Sequence, residues 1–197
     1  MKCTTFVADQ IQNLRIAVIG DVMVDRYFFG EVKRISPEAP VPVNRVRKIN
    51  SVLGGAANVA ANLATLGCRV YVGGVTGDDD NRMILEELLT KEKIDFSGLV
   101  KSRYRSTITK MRILGAHQQM LRLDFEEVGD LYPEEADQIK QWLLNLMEDG
   151  LDGEITAEVS YPAGEDWEVE TPLRISMLRD LYIVFGGDAV LKSWSVK

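Results

Sequence analysis

Two short runs of continuously apolar, β-branched residues constrain this chain more than anything else in it: "LRIAVIGD" at 14–21 and "CRVYVGGVTGD" at 68–78. A strand without polar alternation is buried on both faces, the situation of a parallel sheet held between helices. Between the two runs lies "LGGAANVAANLATLG" (53–67), in which Gly54 and Gly55 open a helix that runs to Leu66, with Gly67 as its C′ residue. After the second run, Met83, Ile84, Leu85, Leu88 and Leu89 form one apolar face of a helix spanning Asp79 to Lys93. A third helix is expected from Pro133, a residue suited to N1, to Met147. Strand, helix, strand, helix predicts an α/β fold.

Two segments break that rhythm. Residues 26–53 are too long and too proline-rich for a simple connection, and residues 103–125 alternate polar and apolar as paired antiparallel strands do. Both read as a β-appendage inserted into the α/β body. Beyond Gly150 the pattern dissolves, and residues 151–197 carry four Lys/Arg against nine Asp/Glu. The expected organisation is therefore a body over 12–150 and an acidic tail over 151–197 of unassigned structure, a hairpin or a loosely ordered stretch.

Composition narrows the function classes. A net charge of −7 argues against a general nucleic-acid binder. No run approaches the roughly 20 apolar residues of a membrane span, and no signal-peptide core stands at the N-terminus. Cys3 and Cys68 belong to no metal-type cluster. Reduced thiols and a cytoplasmic setting are the expectation.

The glycine–helix junction has two readings. It is either a tight turn for close strand–helix packing, or a bare backbone edge at a helix N-terminus that a hydroxyl or an anion can approach. Asn58 falls in the first turn and Asn62 one turn later on the same face. Neither G-x-G-x-x-G nor G-x-x-x-x-G-K-[ST] is present. Asp21 and Asp25 follow the first strand at its C-terminal end, where open α/β sheets bind ligands. Arg105, Lys110, Arg112 and Arg122 cluster in the second appendage segment, beside His117, Gln118 and Gln119. They are either contacts for a phosphate or solvated charges that guard an edge strand. The run Asp78-Asp79-Asp80 reads as a helix N-terminal charge cluster rather than a metal site.

"GGAANVAANLATLG" followed by nine residues and Gly77 resembles the amino-terminal signature of the ribokinase-like (PfkB-type) carbohydrate kinases. Together with "GDVMVDRYFFGEVKRISPEAPVPV", "GGVTGDDD" and "HQQMLRLDFE", it is similar to those members that phosphorylate D-glycero-D-manno-heptose 7-phosphate for ADP-heptose synthesis. The resemblance covers about 12–150. It implies a parallel sheet flanked by helices with a small β-lid, formed here by 26–53 and 103–125. It further implies sugar contacts from Asp25, Gly54, Gly55 and Asn58, with Lys110, Arg112, Gln119, Arg122 and Arg105 as lid or phosphate contacts. Phosphorylation at C1, ATP and Mg²⁺ as cofactors, and a homodimer through the lid belong to the same implication.

The sequence departs from the family where catalysis resides. The Gly-Ala-Gly-Asp element that cradles phosphate and supplies the base is absent. Gly186-Gly187-Asp188 is only a remote echo of it, so the expectation is a truncated kinase whose ATP-binding half is missing. The alternatives are a non-catalytic sugar-binding or lid-dimerisation fragment, and a kinase completed by another polypeptide.

Overall fold

The computed structural model describes residues 15–115, 118–127 and 129–148, and beyond them the backbone of the strands 155–160, 174–178, 181–186 and 190–196. At its centre is β1 (Arg15–Gly20), the first of the apolar runs, with all residues after Arg15 buried. Its alternating side chains serve two separate layers. Ile16 and Val18 join a core with Ala56, Ala57, Ala60, Leu85 and Leu89, whereas Ala17 and Ile19 pack with Ile139, Leu143 and Met147. This two-sided burial is why the run carries no polar alternation.

β1 pairs in parallel with β4 (Arg69–Thr76), which pairs in parallel with β5 (Asp95–Lys101). On the other side of β1 lies β10 (Leu181–Gly186), again parallel, followed by antiparallel β9 (Arg174–Leu178). The sheet order is β5-β4-β1-β10-β9. The strands β8 (Ile155–Ser160) and β11 (Val190–Val196) form a separate antiparallel pair. The tail therefore contributes two strands to the main sheet, which its irregular sequence pattern did not reveal. Asp188 and Gly187 lie outside the described residues, as does His117.

Helix boundaries follow local chemistry. α1 (Gly55–Thr65) closes on Gly67, whose N–H reaches Ala64 O at 2.9 Å and whose φ of +96° turns the chain so that the Cys68 N–H reaches Leu63 O at 3.2 Å. α2 (Asp80–Lys91) begins at Asp79, whose carboxylate accepts the Arg82 N–H at 2.9 Å. It stops short of the expected Lys93, which has turned to a φ of +58°. α3 (Pro133–Glu148) starts on its proline, and buried Glu135 reaches back to accept the Tyr132 N–H at 3.2 Å. Its Trp142 indole lies directly on Gly73 and Gly98 of adjacent strands, where an added Cβ would come within 2.6 and 2.5 Å of the ring.

The second sheet has four strands in the order β3 (Pro42–Gly54), β2 (Val22–Ile35), β6 (Ile108–Gly115) and β7 (Gln118–Phe125). β2 leaves the main sheet one residue after β1 ends, and β3 returns antiparallel to it, straight into α1. β6 pairs in parallel with β2, and β7 pairs antiparallel with β6. Register divides this sheet into two chemically distinct faces. One, mainly polar, presents Asp25, Tyr27, Asn50, Val52, Lys110, Arg112, Arg122 and Asp124; the other, mainly apolar, presents Phe28, Ile49, Met111, Ile113, Leu121, Leu123 and Phe125 together with Arg26 and Ser51.

Candidate functional site

The junction of β3 and α1 lies against the end of β1. Gly55 has a φ of +54°, and a Cβ there would stand 2.2 Å from the Asp21 carbonyl oxygen. That carbonyl accepts the Ala56 N–H at 2.8 Å. The glycine is thus required by the backbone itself, because a side chain would collide with the strand that α1 packs against. Gly54 serves a different purpose. A Cβ on it would lie 2.8 Å from Met23 Cγ and 3.0 Å from Asp25 Oδ2, so both side chains rest on bare backbone at the start of the helix. Close packing thus accounts for Gly55, and Gly54 leaves room for the side chains of β2 that lie over it.

Both aspartates follow β1 in the chain, and Asp25 lies within β2. Only Asp21 fills the one-residue break between β1 and β2. Strand placement aims the Asp25 carboxylate along the polar face, where Arg112 Nη1 donates to its Oδ1 at 2.6 Å. Both side chains are about one-fifth exposed, at 18% and 21%. The hydrogen bond to Asp25 raises the Arg112 guanidinium pKa, against the opposing effect of burial, so the cation is secured. Arg112 also lies over the Tyr27 ring, 5.2 Å from its centroid. Asn58 and Asn62 are both exposed on α1, close in sequence to the glycine turn.

The cations of the second appendage segment do not stay together. Lys110, Arg112 and Arg122 share the polar face, with Lys110 3.6 Å from Glu126 and Arg122 Nε 2.9 Å from Asp124 Oδ1. Arg105 departs from them. It precedes β6, donates to the Asp130 carbonyl at 2.8 Å, stands 3.9 Å from Glu135 and lies over Tyr132. Its work is to dock the loop before β6 onto the start of α3, and the expectation that it joins the lid contacts is corrected. Gln119 pairs with Leu114 beyond a bulge, further along the sheet than Arg112.

Sequence reasoning missed Tyr27, which register places beside Arg112, and Asn50, which lies beside Tyr27 on the same face. The alternation within "DRYFFG" carried a signal for Tyr27, since residues two apart share a strand face. Asn50 had no comparable signal, because its neighbours across the sheet are distant in the chain.

Among the described residues, no group of three or more His, Cys, Asp or Glu side chains could hold a metal ion. No helix among the described residues is long and apolar enough to cross a membrane.

A mostly parallel sheet flanked by helices, with a second, four-stranded sheet entered directly after β1, defines the class as an α/β protein with a β-appendage. The family model for pfkB family carbohydrate kinases matches residues 13–148, and the chain belongs to that family. Among curated relatives it is similar to the bifunctional protein HldE of Actinobacillus succinogenes, 56% identical over 120 residues, covering 60% of this chain and 25% of that protein. It is also similar to the D-beta-D-heptose 7-phosphate kinase of Bordetella bronchiseptica, 50% identical over 129 residues, covering 66% of this chain and 40% of that protein. The chain thus spans between a quarter and two-fifths of the length of these relatives. Among solved structures, a candidate sugar kinase from Clostridium perfringens superimposes with a TM-score of 0.53 at 18% identity, over 68% of this chain and 42% of that one, which supports the fold.

Proposed function

We propose that this chain is the sugar-binding part of a carbohydrate kinase, its unit being residues 12–150 and its acceptor D-glycero-D-manno-heptose 7-phosphate. The reaction is ATP- and Mg²⁺-dependent phosphorylation at C1, in the cytoplasm, as a step toward ADP-heptose. The observation that carries this reading is the Asp25 carboxylate resting on the Gly54 backbone at the threshold of α1. A carboxylate there accepts two sugar hydroxyls, and the helix N-terminus presents N–H groups to a third oxygen. Asn58, exposed in the first turn, has both a donor and an acceptor for the same ring. The printed names of the HldE and heptose 7-phosphate kinase relatives support the choice of sugar.

A second reading, a non-catalytic sugar-binding or lid-dimerisation fragment, is favoured by a separate observation. Ile49, Leu121 and Phe125, on the apolar face of the four-stranded sheet, are 52%, 51% and 49% exposed. Pairing of two such faces would remove them from water.

A coupled assay with ATP, Mg²⁺ and heptose 7-phosphate, run beside calorimetric titration of the sugar, separates the readings. The expected result is sugar binding that depends on Asp25 and Asn58, without useful turnover by the 197-residue chain alone. Turnover that vanishes in Asp188→Asn would assign the base to the tail. Absence of binding in both the parent and its variants would overturn the sugar assignment.

A further inference from the structure

The Asp25–Arg112 bond spans β2 and β6, so its geometry depends on how those two strands sit on the body. The start of α2 reaches both of them. Asp79, its capping residue, accepts the Arg82 N–H at 2.9 Å with one carboxylate oxygen and the Thr107 N–H at 2.8 Å with the other. Thr107, buried and immediately ahead of β6, takes the Gly77 N–H on its own hydroxyl at 3.0 Å. Two residues beyond Asp79, the Asn81 amide oxygen accepts Arg26 Nη1 of β2 at 3.2 Å, across 55 positions of chain. α2 is itself fixed to the body. Leu85 and Leu89 are buried in the core with Val22 and Val24. Arg82 donates to the Thr76 hydroxyl of β4 and, at 3.4 Å, to the Leu99 carbonyl of β5.

Arg26 contributes little to stability in this contact. It is half-buried and lies over the Phe28 ring, 5.5 Å from the centroid. Its Nε is buried without an acceptor among the described residues, and its Nη1 is taken by a neutral amide rather than a carboxylate. Removing a guanidinium from water on those terms costs free energy that one neutral acceptor returns only in part. Its register gives it another use. Arg26 stands on β2 between Asp25, which holds Arg112, and Tyr27, over whose ring Arg112 lies. Its partner on β6 is Met111, the residue before Arg112. Alternation turns Arg26 to the face opposite Asp25 and Tyr27, so Asn81 grips the strand from behind the site. Twisting β2 about its axis would swing Asp25 and Tyr27 away from Arg112, and the Asn81 contact opposes that twist.

We infer that Asn81 is a positioning residue for the proposed sugar site, acting on Asp25 and Arg112 through Arg26. This role rests on the sugar-binding reading of Asp25 and adds to it a residue outside the site. Asn81 sets the rotation of β2 while Asp79 seats the start of β6 beside the same helical turn. Both halves of the ion pair are thereby referred to one helix end.

The test follows the Arg112 Nε–H resonance by NMR in the free protein and the affinity for heptose 7-phosphate by calorimetry. The ring current of Tyr27 makes that resonance sensitive to small displacements of the guanidinium. Asn81→Ala removes the acceptor, Arg26→Met removes the donor but keeps an unbranched apolar chain beside Phe28, and Asn81→Asp restores an acceptor oxygen. In Asn81→Ala and Arg26→Met the resonance is expected to shift and the affinity to fall about three- to tenfold, with Asn81→Asp close to the parent in both. A purely structural role would lower the urea midpoint and leave the Arg112 resonance in place, and that result overturns the positioning role. An affinity unchanged in Asn81→Ala overturns it too, as does a resonance displaced as far in Asn81→Asp as in Asn81→Ala. If the parent binds no heptose 7-phosphate, the sugar reading fails separately and the Arg112 resonance alone decides. Displacement in Asn81→Ala with recovery in Asn81→Asp then supports the positioning of the pair, and no displacement overturns it.

Discussion

Arg112 on β6 donates to the Asp25 carboxylate on β2 at 2.6 Å, although 87 positions of chain separate them. The bond is diagonal, because the residue directly beside Asp25 in the parallel β2–β6 register is Lys110 and the one beside Arg112 is Tyr27. The bond fixes the direction of the carboxylate on the polar face of the sheet, with its Oδ2 beside Gly54. The proposed sugar site therefore includes an ion pair made between strands.

Asp25→Asn tests that junction. The amide keeps the shape but loses the charge and one acceptor, so sugar affinity is expected to fall by about 1–3 kcal/mol. Stability should change by less, about 1 kcal/mol, since the pair is not fully removed from water. Calorimetry with heptose 7-phosphate and urea denaturation measure the two quantities independently. Full affinity in the variant would remove Asp25 from the site.

Gly55→Ala is expected to be far more costly to folding than its size suggests. The left-handed backbone alone disfavours an L side chain by about 1–2 kcal/mol. The new Cβ would additionally meet the Asp21 carbonyl, 2.2 Å away, and displace α1 from β1. A loss of more than about 2 kcal/mol in chemical denaturation is the expected outcome. A variant as stable as the parent would show that the turn has another way to close.

Asp79 supplies a pH-dependent contribution. Burial works to raise its carboxyl pKa, but N–H groups of Thr107 and Arg82 donate to it, at 2.8 and 2.9 Å, and hold it below the usual 3.8. A lowered folded-state pKa gives stability that is complete above the unfolded value and lost as pH falls through the folded one. Asp79→Asn retains one acceptor oxygen where two are used, and should cost about 1–3 kcal/mol at neutral pH. The gap between parent and variant is expected to narrow below about pH 4, as read from denaturation midpoints across pH. A gap independent of pH would contradict the assignment.

The apolar face of the four-stranded sheet yields the last prediction. If two copies pair through it, sedimentation should report a dimer, and Leu121→Glu should convert it to a monomer with its fold intact by circular dichroism. Leu121 is 51% exposed in the single chain, so the change does not disturb a core. A parent that is strictly monomeric at high concentration would end the dimer proposal.

The sequence by itself determined the α/β body, because burial on both faces of a strand and on one face of a helix writes a periodic pattern that can be read locally. "RIAVIG" and the Leu85/Leu89 stripe are such patterns, and both became core. The Asp79 cap and the Gly67 helix stop were legible for the same reason, since their partners lie within a few residues. Four separated motifs likewise sufficed to mark the family. Only the tertiary structure decided which polar residues meet. Arg105 and Arg112 are near in sequence, yet one docks against α3 and the other reaches Asp25. Asn50, Tyr27, Arg112 and Arg122 come from four strands and form a row only because β2 pairs in parallel with β6 at one register. A shift of one residue would turn each side chain to the other face. That register depends on hydrogen bonds between strands far apart in the chain, which local periodicity does not encode.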